Sequence, residues 1–101
     1  MASVRIRLVG GAGDGAGLET EDCPACLMIG SGQNSKGENL YDLYEPTLMA
    51  ATGKPVTNKS GEIPCSHKGR FKKDECERIG HGKVESLKRP IWIQDPLEPP
   101  H

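Results

Sequence analysis

Cys23-Pro24-Ala25-Cys26 carries the sharpest signal in this chain, because two thiols at C-x2-C spacing can hold one tetrahedral metal ion. The second half of the chain supplies a further pair, Cys65 and Cys76. A metal ion bound by both halves would close a long loop and compensate for a small core. The sequence therefore predicts a metal site formed by Cys23, Cys26, Cys65 and Cys76.

The composition explains why this chain would need a metal. Among 101 residues, Leu, Ile, Val and Phe together number only 19, whereas there are 13 Gly and 8 Pro. A small domain with so few core-forming residues is commonly stabilised by a metal or by cross-links. We therefore expect a loop-rich, small α+β fold with a few short β-strands and one short helix stapled by the metal site. Residues 1–94 would form this single zinc-binding domain, and 95–101 an extended Pro-rich tail.

The groups that complete the metal site remain open at this stage. Cys65 and Cys76 give a site of four sulfurs, and His67 and His81 are alternates because neutral imidazole also binds zinc. Zinc is the favoured ion, with iron as the second choice. Two disulfides, or cysteines that are simply buried, are the alternatives to a metal.

The hydrophobic pattern predicts where regular structure lies. Alternating or aromatic-rich segments predict β-strands over 3–9, 40–45 and 89–94. Acidic residues followed by Gly80 predict a short helix over 72–79. The glycine-rich segments 10–17 and 30–39 are expected to be turns or loops, because glycine is costly to order within an element.

Two short segments resemble known groups of proteins. The C-P-A-C segment resembles the knuckle of zinc ribbons and rubredoxins, although Leu27 stands where those proteins usually have Gly, and Cys65 and Cys76 have C-x10-C spacing. This resemblance implies a zinc-ribbon-like small protein. The opening strand and glycine turn are similar to those of small uncharacterised actinobacterial and bacteriophage proteins, which implies a phage or bacterial accessory role.

The sequence also indicates the cellular compartment in which the protein is expected. No apolar run approaches the roughly 20 residues of a membrane-spanning helix, and the first residues lack the apolar segment of a secretory signal. We therefore expect a cytoplasmic protein, or a virion-associated one if it is encoded by a phage.

The function predicted from these features is that of a non-enzymatic zinc-binding protein acting as a protein-interaction or structural module. The aromatic residues Tyr41, Tyr44 and Trp92 are candidate exposed contacts for a protein partner or for self-assembly. One alternative is a zinc-stabilised module that binds nucleic acid through Lys68, Arg70, Phe71, Lys72 and Lys73. Another alternative is a small metal-dependent enzyme.

Overall fold

The structure is a computed structural model, and it describes residues 3–21, 23–87 and 91–94. Its elements are β1 (Val4–Val9), β2 (Gly17–Thr20), β3 (Cys26–Gln33), β4 (Asn39–Pro46), β5 (Ile63–Lys72), α1 (Lys73–Leu87) and β6 (Ile91–Gln94). The six strands form one curled sheet in the order β2-β1-β5-β4-β3-β6. The described residues therefore form a mainly-β half-barrel with one helix.

The predicted fold class, a loop-rich α+β domain stapled by a metal, is wrong. The difference comes mainly from β3 and β5, two strands of eight and ten residues that the sequence pattern did not predict. Both segments contain glycine or basic residues that are poor strand formers in isolation. Each strand lies inside the sheet and is paired on both sides, so neighbouring strands supply the order that local preference does not.

The other local predictions have mixed outcomes. The strands over 3–9 and 40–45 are confirmed as β1 and β4, and the last strand is β6, although 89–90 and the tail 95–101 lie outside the described residues. The loop over 30–39 is wrong at both ends, since β3 runs to Gln33 and β4 begins at Asn39.

The predicted helix forms but does not end at Gly80. α1 continues to Leu87, and a Cβ built on Gly80 would clash with Cδ1 of Ile91 and lie 3.3 Å from Sγ of Cys26. The glycine therefore permits close packing of the helix on the sheet instead of capping the helix.

The sheet has a buried cluster on each face. The helix face, on which α1 packs, carries a cluster made of Cys26, Met28, Tyr41, Leu43 and Cys76. The loop face carries a cluster made of Ile6, Leu8, Cys23, Leu27, Tyr44, Ile63 and Cys65. Consecutive residues such as Leu27 and Met28 belong to different clusters, as the alternation of side chains along a strand requires. No helix among the described residues is both long enough and apolar enough to cross a membrane.

An ion pair between Arg7 and Glu62 joins β1 to the residue before β5, with Nη2 and Oε2 2.6 Å apart. The hydrogen bond from Arg7 lowers the pKa of Glu62 below its ordinary value. A lowered pKa in the folded state stabilises the fold above the ordinary value of 4.5 and ceases to do so as the pH falls through the folded value. We expect Glu62→Gln to flatten the acid limb of stability measured by urea unfolding between pH 6 and about pH 3. An unchanged acid limb would contradict this role.

Candidate functional site on the loop face

The carboxylate of Asp42 is the centre of a polar cluster at the loop face of the sheet. Asp42 lies in β4 and is only 3 % exposed. A buried carboxylate is costly unless charged or hydrogen-bonding groups surround it. Its Oδ1 lies 2.8 Å from Nε2 of His67 and 3.6 Å from Nε of Arg70, and both of these residues belong to β5. Oδ1 of Asp42 thus contacts both the imidazole of His67 and the guanidinium of Arg70.

A bulge in β5 allows both side chains to reach the same carboxylate. The register pairs Asp42 with Arg70 and Tyr44 with His67, and it shifts between Leu43 and Tyr44. The shift inserts one extra residue into β5, so His67 and Arg70 face the same side although they are three positions apart. Gly69 lies at the bulge with φ 142°, and a Cβ there would meet the ring of Phe71 at 2.8 Å.

The two side chains held by Asp42 retain unused hydrogen-bonding groups. His67 uses Nε2 and Arg70 uses Nε toward Asp42. Within the described part of the chain, Nδ1 of His67 and the terminal nitrogens of Arg70 have no hydrogen-bonding partner. The side chains are 25 % and 49 % exposed, respectively, so a ligand can approach both. We call these two residues the Arg70–His67 pair.

The glycine loop, residues 10–16, forms one wall of this site. A Cβ built on Gly11 would lie 2.5 Å from Cδ2 of His67, so the loop backbone lies directly against the imidazole ring. Tyr44 holds the loop in place, since its hydroxyl donates to the carbonyl of Gly10 at 2.8 Å and accepts from the amide of Gly13 at 3.1 Å. Burial raises the pKa of Tyr44, so the hydroxyl keeps the proton that it donates.

The aromatic residues that the sequence predicts to be exposed are mostly buried. Tyr41 and Tyr44 are fully buried, one on each face of β4, and Trp92 is half-buried against the loop-face cluster. The middle of β4 is buried on both faces because a cluster of side chains covers each face of the sheet at this strand. The same pattern was a signal for the site, because a charged residue at position 42 between buried neighbours requires a partner.

The predicted metal ligands are divided between the two faces. Cys23 and Cys65 belong to the loop-face cluster, and Cys26 and Cys76 belong to the helix-face cluster. Among residues 3–21, 23–87 and 91–94, no group of three or more His, Cys, Asp or Glu side chains is arranged to hold a metal ion. The four-sulfur zinc site is therefore not assembled in this structure, and zinc binding stays a prediction.

The two histidines proposed as alternate zinc ligands do not lie beside the cysteines in a common metal-binding group among the described residues. His67 faces Asp42 in the polar cluster, and His81 is exposed on α1.

The predicted basic run is divided by the same alternation of side chains. Arg70 lies beside Asp42 on the loop face, whereas Phe71 packs against the helix-face cluster. Nζ of Lys72 lies 3.7 Å from Oε2 of Glu38, and Lys68 and Lys73 are exposed. The run is thus not one continuous basic surface.

Comparison with known proteins finds no family model, no curated protein and no solved structure that matches this chain.

Proposed function

We propose that this protein is a small non-enzymatic binding module that recognises a carboxylate of a protein partner at the Arg70–His67 pair. The observation that carries the proposal is the shared contact with Asp42, which orients His67 by a hydrogen bond and Arg70 by an ion pair while leaving nitrogens of each without a partner in the described residues. Arginine is suited to this role, because its planar guanidinium can donate two parallel hydrogen bonds to a carboxylate. Side chains fixed in advance lose less conformational entropy on binding.

A protein carboxylate is favoured over nucleic acid for two reasons. Non-specific binding of a single strand usually combines several unpaired cations with aromatic rings on which bases stack. Here Phe71 packs on the helix face, away from Arg70, and Lys72 is paired with Glu38. The remaining chemistry suits one localised anionic group better than a run of phosphates.

This proposal does not depend on zinc, because the Arg70–His67 pair contains no thiol and its orientation comes from Asp42. Zinc binding by the four cysteines is a separate proposal. It is decided by the metal content of the native protein, measured by mass spectrometry under non-denaturing conditions.

The carboxylate proposal is tested with a fluorescent peptide of six glutamates, and a single-stranded oligothymidylate serves as the competing probe. Arg70→Gln is expected to weaken peptide binding about tenfold, since a charge-assisted hydrogen bond is lost. Lys68→Gln is the matched control, because it removes the same charge from the exposed bulge of the same strand. It is expected to change the affinity by less than about twofold.

Other outcomes of this experiment would overturn the proposal. Equal losses of affinity in the two variants would show that only the overall charge matters. Tighter and strongly salt-dependent binding of the oligothymidylate would favour the nucleic-acid alternative. Absence of saturable peptide binding by a wild-type protein with a normal unfolding midpoint would also contradict the proposal.

A further inference from the structure

The sheet sorts the four cysteines into two pairs. All four are buried thiols in the structure. One pair, Cys23 and Cys65, lies in the loop-face cluster, and the other, Cys26 and Cys76, lies in the helix-face cluster. Four cysteines allow three disulfide connectivities. A bond between the two clusters would join thiols on opposite faces of the sheet, and only one of the three connectivities keeps each bond on one face.

Cys23 and Cys65 are both buried in the same cluster. They share this cluster with Leu27 and Tyr44, and burial, with a smaller contribution from the charge of Cys23, raises the pKa of Cys65 to about 12. Cys65 belongs to β5, whereas Cys23 precedes β3, and β4 lies between these two strands. A bond between the two cysteines would therefore connect non-adjacent parts of the sheet across its loop face.

We propose that Cys23 and Cys65 form an oxidation site that a low-molecular-weight disulfide such as oxidised glutathione converts into an intramolecular disulfide. The thiolate of one cysteine attacks a sulfur of the glutathione disulfide, which forms a mixed disulfide and releases one glutathione thiolate. The second cysteine then attacks the mixed disulfide and releases the other glutathione. Two protein thiols are oxidised, one glutathione disulfide is reduced to two thiols, and the two protons pass to glutathione.

Cys23 is the thiol that reacts first. It is 8 % exposed, whereas Cys65 is fully buried. Because both thiols are buried, glutathione has little access to them and attack on the folded protein is slow. Refolding in a glutathione redox buffer avoids this kinetic barrier, because the bond can form while the chain is still unfolded and both thiols are accessible.

The bond would attach to the strand that carries the Arg70–His67 pair, since Cys65 precedes His67 by two positions in β5. The inference is nevertheless independent of the binding proposal, because it concerns different side chains and a covalent product.

The experiment refolds the reduced chain with reduced and oxidised glutathione and maps disulfides by mass spectrometry of unreduced peptides. A peptide pair joined through Cys23 and Cys65 is expected. The oxidised protein is expected to unfold at least about 10 °C above the reduced one, since the bond closes a long loop. Reductant should reverse the shift.

Cys65→Ser and Cys26→Ser are matched variants, because both residues are fully buried. Cys65→Ser is expected to abolish the bond and the shift, while Cys26→Ser keeps both. A bond joining the two clusters, such as Cys23 to Cys26, would overturn the proposal. So would a natively folded chain that retains four thiols under conditions that oxidise the unfolded chain, or four thiols protected by stoichiometric zinc.

Discussion

Tyr44→Ala is expected to lower the free energy of unfolding by about 3–5 kcal/mol, the usual cost of removing a large aromatic side chain from a packed core. Tyr44 is fully buried in the loop-face cluster, and its ring lies 5.1 Å from that of His67 between centroids. The substitution also removes the hydroxyl that holds Gly10 and Gly13. Urea unfolding of the two proteins measures the difference.

Tyr44→Phe separates these two contributions. It keeps the ring and removes only the hydroxyl, so a loss of about 1–3 kcal/mol is expected from the unsatisfied backbone groups of the glycine loop. A loss equal to that of Tyr44→Ala would mean that packing contributes nothing, and an unchanged stability would mean that the hydroxyl does not hold the loop.

Gly11→Ala is expected to destabilise the protein by about 2–4 kcal/mol, from backbone strain together with overpacking. Gly11 has φ 65°, a left-handed conformation that alanine adopts only at a cost. Its new Cβ would also lie 2.5–2.8 Å from three atoms of the His67 ring, which cannot move freely because Asp42 holds it. Both urea unfolding and peptide affinity are measured, because displacement of His67 should weaken binding as well.

Gly15→Ala is the matched control for this prediction. Gly15 has φ 85° in the same loop, but a Cβ there would meet nothing within 4 Å. It should therefore incur only the backbone cost of about 1–2 kcal/mol and leave binding unchanged. Combining Gly11→Ala with His67→Ala should cost less than the sum of the single changes, because the second removes the clash. Equal effects of Gly11→Ala and Gly15→Ala would contradict contact between the loop and the imidazole.

The sequence predicts those parts of the fold whose signal is local. Alternation over 3–9 and the aromatic content of 40–45 were sufficient for β1 and β4. β3 and β5 were missed because their order comes from pairing on both sides, which involves residues distant in the chain. The spacing of Cys23 and Cys26 likewise cannot reveal that Cys26 begins a strand whose alternation assigns the two thiols to different faces.

Most of the candidate site depended on the same long-range information. The sequence suggests His67 only as an alternate metal ligand and Arg70 only as part of a basic run. Their common partner, Asp42, becomes evident only when β4 and β5 are paired in register. Gly69 was an available local signal, since a glycine inside a strand often marks a bulge.

The position of β5 has a consequence for how this chain reaches its native state. β1 with β2, and β3 with β4, form antiparallel pairs from segments close in sequence, whereas β5 pairs in parallel with β1 and antiparallel with β4. The two hairpins do not pair with each other, and only β5, which ends at Lys72, joins them in one sheet. Joining them therefore requires closure of a long loop. Such non-local pairing slows folding in small domains. During synthesis, the single sheet can therefore form only after β5 is available to pair with both hairpins.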